Sequence, residues 1–266
     1  MGDTLDAELV AKLNPTVPHS ARWWNYLLGG KDNFAADRAV ADAVAEQMPE
    51  IRDFAQAGRG FLDRAVTYLA GEVGIRQFLD LGTGLPTAGN THEVAQRAAP
   101  TAKIVYVDND PLVLTHARAL LTSDPAGVTD YIDADVRDPG KILGLAAATL
   151  DFSQPVAVLM VGILGHIRDD NQPSPAQIVA KFVDAIPAGS YLAINDSVIT
   201  AKTADAIETA RKAGGDYNLR TVEEITAFFA GLDLVEPGVV STPLWRPKPG
   251  DQPKNLDVYC GLARKP

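Results

Sequence analysis

The stretch FLDLGTGLPT, Phe78 to Thr87, reads as a short apolar strand that runs into a glycine turn at an aspartate. In an open parallel sheet, ligands sit beyond the carboxyl ends of the strands. Glycine there lets the backbone approach a ligand closely or adopt positive φ. The strand ends at Leu81 and the turn is Gly82-Thr83-Gly84. A dinucleotide fingerprint of the form GxGxxG wants a third glycine at the position held by Thr87, and Pro86 stands just before it. Proline removes an N–H donor and stiffens the loop, which makes a poor pyrophosphate cradle. Taken alone, the motif is equally compatible with a bare strand-to-helix turn.

Outward from this turn, short apolar runs alternate with helical stretches. The runs are QFLDL, KIVYVD, VTDYID, PVAVLMVG and SYLAIN, with helices expected near 89–98, 111–122, 139–148 and 175–186. Apolar, β-branched runs without strict alternation suit strands buried on both faces, as in a parallel sheet. The alternation predicts a doubly wound α/β sheet with right-handed crossovers. Helices are next expected over 201–213 and 221–230, the second opened by a capping box of Thr221 and Glu224. The runs LDLVEPGVV and LDVYCGLA follow, joined by the proline-rich PLWRPKPGDQPKN. No helical pattern fits between them, so they are expected to pair antiparallel at the sheet edge. Upstream, Asp32 or Asn33 is expected to cap a helix running toward Met48, and Phe54, Phe61, Leu62, Val66 and Leu69 recur at helical spacing over 51–70. The chain thus divides into a helical segment, 1–72, and a sheet domain, 73–266.

Bulk properties narrow the chemistry. The 266 residues are 46% hydrophobic, which suits one globular unit with modest additions. Formal charge is −10, from 24 basic and 34 acidic residues. A nucleic acid gripped by its phosphates needs clustered Lys and Arg, so no nucleic-acid partner is expected. The single cysteine, Cys260, makes no internal disulfide, and His19, His92, His116 and His166 show no HxxxH or HExxH spacing, so no metal site is expected. No apolar stretch approaches the ~18 residues of a membrane helix. The start, MGDTLDAELV, lacks the apolar region of a signal peptide. A cytoplasmic protein with no membrane partner is expected.

The acids at the strand ends specify a ligand. VYVDNDP places Asp108 at the end of the second strand, where a carboxylate accepts both ribose hydroxyls of a nucleoside. YIDADVRDP places Asp135 at the end of the third, able to accept from an adenine amino group beside apolar Val136. Asp80, just before the glycines, repels a pyrophosphate and suits a cation. An adenosine ligand carrying an ammonium and a sulfonium meets these demands, which is S-adenosylmethionine. Asp110 and Asp138 precede prolines and read as turn or helix-start residues.

DLGTG, VDNDP, DADVRDP and the two-strand ending together resemble class I S-adenosylmethionine-dependent methyltransferases. More narrowly, ARWWNYLLGGKDNFAADR followed by FLDLGTGLPT resembles the actinobacterial S-adenosyl methyltransferase family, formerly classed as a domain of unknown function. The resemblance runs from about Pro18 to Leu262. It implies a Rossmann-like, seven-stranded sheet with a reversed last strand. It also implies cofactor contacts at Asp80, Gly82, Gly84, Asp108, Asn109, Asp135 and Val136, with Thr83 in the same turn. Where the family's general pattern often has a third glycine, this chain has Pro86. The resemblance supplies no acceptor.

Two further segments bear on the acceptor. Trp23, Trp24, Tyr26 and Leu27 crowd the approach to Gly29-Gly30 and read first as packing. The polar residues among them, from Arg22 through Asn25 and Lys31 to Asn33, suggest a lid that covers the cofactor and lines the acceptor site. Arg22 or Lys31 is expected to hold an acidic acceptor or the methionine carboxylate, with Tyr26 and Asn33 on the acceptor side. In LMVGILGHIRDD, Gly162 and Gly165 let the backbone approach the sulfonium, and His166 reads either as a general base for a hydroxyl or as a loop residue bonded locally near Asp169. Asn195-Asp196 faces the same rim or caps the next helix, and Trp245-Arg246 is placed within reach of it. No NPPY-like sequence or acidic metal triad occurs.

Methyl transfer needs alignment and exclusion of water rather than a protein nucleophile, so no catalytic residue is assigned. The expectation is an S-adenosylmethionine-dependent methyltransferase with a small-molecule acceptor, its oligomeric state left open. A nicotinamide-dependent oxidoreductase and a non-catalytic S-adenosylmethionine-binding protein are the alternatives; Thr87 and Asp135 weigh against the first.

Overall fold

The computed structural model describes residues 14–86, 89–113, 115 and 124–266. Five parallel strands make the body of the sheet: β1 (Gln77–Leu81), β2 (Lys103–Asp108), β3 (Val128–Asp133), β4 (Ala157–Val161) and β5 (Tyr191–Ser197). They lie in the order β3-β2-β1-β4-β5, so the winding reverses between β1 and β4. Strands β1, β2, β4 and β5 are buried on both faces, which is why apolar residues run consecutively in them instead of alternating.

The far side of the sheet is antiparallel. Strand β8 (Val258–Arg264) pairs with β5 from Tyr191–Arg264 to Ser197–Val258. Two short strands, β6 (Asp233–Leu234) and β7 (Val240–Ser241), then pair with the outer side of β8. The sequence predicts seven strands, and the described sheet has eight because LDLVEPGVV is split. Pro237 has no N–H to give and Gly238 turns at φ +87°, so the ladder breaks and resumes beyond them. The last strand is antiparallel as expected, but it is interior to the sheet and the split run forms the edge.

Helices cover both faces. On one face, α5 (Pro139–Ala146), α6 (Pro175–Ala185) and α8 (Val222–Ala227) set Ile142, Phe182 and Ile225 against Leu79, Leu81 and Val107. On the other, α3 (Ile51–Thr67) and α4 (Thr91–Ala98) set Phe61 and Val94 against Phe78 and Ile104. A third cluster joins α1 (Ser20–Leu27), α2 (Ala35–Gln47) and the start of α3 to α7 (Ala201–Lys212), through Trp23, Val44, Phe54 and Ala206. Helices α1 and α2 therefore rest on other helices and not on a face of the sheet, and α1 faces the strand ends. Among the described residues, no helix is long and apolar enough to cross a membrane.

Several local starts and stops differ from expectation. Helix α1 carries no assignment from sequence; His19 caps it, Nδ1 accepting from Ala21 N at 3.3 Å. It ends at Gly29, φ +83°. A Cβ on Gly30 would overlap the Asn25 side chain, so the second glycine makes room for Asn25 and not for a ligand. Helix α2 begins after Phe34, whose N–H donates to Asp37 Oδ2 at 2.8 Å, one residue beyond the expected caps. Helix α3 continues as a wider turn over Tyr68–Val73. Trp245 is not at the rim: it is fully buried, edge-on to Phe61 with ring centres 5.2 Å apart. Arg64 donates to its carbonyl at 2.7 Å and ties this loop to α3. Thr87, His116 and most of the helix expected over 111–122 lie outside the described residues.

Candidate active site

The carboxyl ends of β1, β2, β4 and β5 meet the inner sides of α1 and α3 across a cavity of about 1080 Å³, counting the solvent at its mouth. Its floor is the turn after β1. Gly82 N and Thr83 N donate to Val107 O at 2.9 and 3.3 Å and pin the turn to β2. A Cβ on Gly82 would lie 2.6–2.7 Å from Ile163, so packing excludes a side chain there. Gly84 and Gly162 differ. Both have positive φ, and a Cβ on either meets nothing within 4 Å, although both line the cavity. Their missing side chains leave space on the cavity side.

Two buried carboxylates flank this turn. Asp108 accepts from Gly84 N at 2.8 Å, Asn109 N at 2.8 Å and Asp110 N at 3.0 Å, and so joins the loops after β1 and β2. Burial raises its pKa, opposed by the N–H bonds from Asp110 and Gly84. Asp80 accepts the Thr91 hydroxyl at 2.6 Å. Burial pushes its carboxyl up to about 6, opposed by the Thr91 bond and the charge of Arg59. Arg59 of α3 lines the same cavity and donates to Gly89 O at 2.8 Å. The sequence reading missed it. The available signal was its setting between Gly58 and Gly60, since glycine is costly inside a helix unless something approaches closely. A Cβ on Gly58 would lie 3.3 Å from Asn195 Oδ1, at the end of β5.

Of the other expected cofactor residues, Asn109 lines the cavity, whereas Asp135 and Val136 are not on its described wall. Val136 is buried in the core beside α5. Asp135 accepts from Arg137 N and Nε, each at 2.9 Å, and from Nη2; these contacts and a bond to the Asn109 side chain hold its pKa below the usual carboxylate range. It stands one side chain behind the wall.

The periodicity of α1 decides which lid residues reach the site. Ala21, Trp24, Asn25 and Leu28, at i, i+3, i+4 and i+7, face the cavity. Arg22 and Tyr26 do not line it. Arg22 is buried with Nε 3.6 Å from both Asp37 Oδ1 and Asp110 Oδ2. Tyr26 donates to Asp42 at 3.0 Å. Lys31 is exposed and off the wall. Asn33 donates to Asn25 Oδ1 and Gly30 O, each at 3.1 Å.

His166 lines the cavity on the short turn after β4. Its Nδ1 lies 3.2 Å from Asp216 O. A carbonyl only accepts, so Nδ1 carries the proton and Nε2 keeps a lone pair. Burial lowers its pKa to about 4, leaving it neutral at neutral pH. Asp169, the expected local partner, instead pairs with Arg220 at 2.9 Å. The turn that carries His166 is braced from below. Tyr217, another lining residue missed from sequence, donates to Asp196; Arg220 reaches the second oxygen of Asp196 at 3.2 Å and donates to Leu164 O and Ile167 O. Asp196 thus neither faces the cavity nor caps α7, whose cap is Thr200. Asn195 does line the cavity and donates to Thr242 Oγ1 at 2.7 Å.

The family model described as S-adenosyl methyltransferase matches residues 6–266. The chain belongs to that family. This methyltransferase is 39% identical to a Streptomyces avermitilis protein of the DUF574 family, with a TM-score of 0.90 over 96% of this chain and 100% of that one. It is 45% identical to a methyltransferase candidate from Thermobifida fusca, with a TM-score of 0.87 over 95% and 97%. A plantazolicin methyltransferase crystallised with S-adenosylhomocysteine shares the fold at 10% identity and a TM-score of 0.53, over 98% and 99%. No curated protein matches the chain. The methyltransferase uses S-adenosylmethionine, and its residues suit that cofactor: two glycines that leave cavity space, and two buried carboxylates beside them.

Proposed function

We propose that this methyltransferase methylates a small molecule held between the strand ends and helix α1. One observation carries the reading. The acids, the open glycines, α1, the start of α3 and the His166 turn all line a single cavity. A chamber roofed in this way excludes water and admits a compact acceptor, not a folded chain or a duplex.

In this reading Asp108 holds the ribose hydroxyls, Asp80 the α-ammonium and Arg59 the carboxylate of the cofactor. Gly82, Thr83, Gly84 and Gly162 offer their backbone to it. Asn109 lies at the adenine end, with Asp135 behind it and the apolar Val136 beside. Bound S-adenosylmethionine supplies a methyl group on a sulfonium, open to in-line displacement. The chain's own part is to orient the acceptor against that methyl and keep the site dry. Helices α1 and α2 and the start of α3 serve as the lid, and the rest of α3 belongs with the sheet that it packs on. Trp24, Asn25 and Leu28 are the lid's working face in place of Arg22, Tyr26, Lys31 and Asn33.

The test is release of S-adenosylhomocysteine with a panel of small molecules, of proteins and of nucleic acids as acceptors. Turnover confined to macromolecules refutes the proposal. Cofactor binding without turnover on any of them favours the non-catalytic alternative.

A further inference from the structure

The cavity wall left over by the cofactor residues has a particular charge balance. Trp24, Phe54 and Val258 are apolar, and Asn195, Tyr217 and His166 are polar but uncharged at neutral pH. The charged side chains on the described wall are already engaged. Arg59 and Asp80 oppose each other, and Asp108 is held by three backbone N–H groups. Arg22, the cation expected to grip an acidic acceptor, lies between Asp37 and Asp110. Among the described residues no side chain is left to counter the charge of a charged acceptor, and burying an unpaired charge is costly.

The chamber is bordered by a narrow apolar cleft. It shares Trp24, Phe54, Ser197 and Tyr217 with the chamber and lies between α1, α2 and α7, with Met48, Ile51, Ile207 and Ala210 along it and room for little more than a water. Three of the shared or adjoining rings, Trp24, Phe54 and Tyr217, offer aromatic faces and edges to a flat ligand.

Resting on the small-molecule reading above, we infer that the methyl acceptor is an uncharged, largely apolar phenol. Its hydroxyl lies at His166, and its ring system lies against Trp24 and Phe54. The Asp216 carbonyl fixes the His166 tautomer, so Nε2 is free to take the phenolic proton. The O–H bond breaks toward Nε2 while oxygen bonds to the methyl carbon. The electron pair of the broken carbon–sulfur bond stays with sulfur in the departing thioether. The weakly basic imidazole fits a phenol better than an alkanol, whose proton is held far more tightly.

The experiment uses three probes of one ring size: 2-naphthol, 2-naphthoate and 2-naphthylmethylammonium. Each is titrated by calorimetry and tryptophan fluorescence at neutral pH, with and without saturating S-adenosylhomocysteine. The expected result is naphthol binding at least ~10-fold tighter than either charged probe, since an unpaired charge is penalised. Trp24→Ala, which removes an aromatic face from the wall, should weaken naphthol by a similar factor and leave S-adenosylhomocysteine affinity unchanged. His166→Ala should retain naphthol binding and lose formation of the methyl ether. A charged probe that binds as tightly as naphthol, no naphthol binding, or naphthol binding indifferent to Trp24→Ala overturns the inference. Failure of S-adenosylhomocysteine itself to bind would instead strike the cofactor assignment. The ranking of probes on ligand-free protein would still decide the question of charge.

Discussion

Asp80→Asn separates the cost of a buried charge from its use. Asp80 is buried at the head of the glycine turn, and its carboxyl is pushed from 3.8 up to about 6, mainly by burial. The gap of roughly two pH units corresponds to ~3 kcal/mol at most. The folded-state pKa is raised, so this group's stabilising contribution is fully present below pH 3.8 and is lost as pH rises through about 6. At neutral pH the ionised carboxylate is therefore a net burden on the ligand-free fold. Asparagine keeps an acceptor for the Thr91 hydroxyl and removes the charge. The ligand-free variant should gain up to ~3 kcal/mol at about pH 7.5, less at about pH 5, and nothing once the wild-type carboxyl is protonated in both states. Cofactor binding should move the other way. The α-ammonium favours ionised Asp80, so wild-type affinity for S-adenosylhomocysteine should fall by up to ~10-fold per unit as pH drops below about 6. The variant should bind ~10–150-fold more weakly at about pH 7.5, the loss of one charge-assisted contact, and should show a flatter pH profile. Calorimetric titration over this range and thermal melts without ligand measure both. A variant that binds like wild type at neutral pH, or that keeps the wild-type pH slope, refutes the reasoning.

Three other perturbations have defined outcomes. Asp108→Ala removes the acceptor for three backbone N–H groups as well as the proposed ribose contact, and should weaken S-adenosylhomocysteine by ~10–150-fold in calorimetry; unchanged affinity would move the ribose elsewhere. Gly165→Ala places a Cβ into the Tyr217 ring and should cost ~1–3 kcal/mol in chemical denaturation. An unaffected midpoint would mean that Tyr217 is not held against this turn. Arg220→Met strands the buried Asp196 carboxylate and should destabilise by ~3–5 kcal/mol near neutral pH, with partial recovery toward acid as Asp196, whose carboxyl burial has raised to about 6, takes a proton. A loss that does not diminish toward acid would show that the pair is not the cause.

Much of the site's floor was legible because it is local. A buried strand, two glycines and an acid at the next strand end are set by spacing along a few residues. The tips of β1 and β2 come together once the sheet is parallel. Asp80, Gly82, Gly84, Asp108 and Asn109 could be placed on that basis, and the structure sets all five on one cavity. The roof was not legible in the same way. Reading the polar residues of the 22–33 segment as one group ignored the rotation of α1, which turns Trp24, Asn25 and Leu28 inward and buries Arg22 between two acids. Arg59 and Tyr217 reach the site only because α3 crosses the end of β5 and because Arg220 draws the segment after α7 under the His166 turn.

Sequence by itself determined the alternation of strands and helices, the antiparallel return near the C-terminus, and the acids and glycines at the strand ends that line the cavity. Those follow from periodicity, turn chemistry and position at a strand end, all properties of near neighbours along the chain. Tertiary structure alone decided that the edge strand splits at Pro237, that Trp245 goes into the core, and that Trp24, Phe54 and Tyr217 line one cavity. Each depends on packing between segments far apart in sequence. Which helix face meets a cavity, and which cation meets an acid, is settled by the competition for burial across the whole fold.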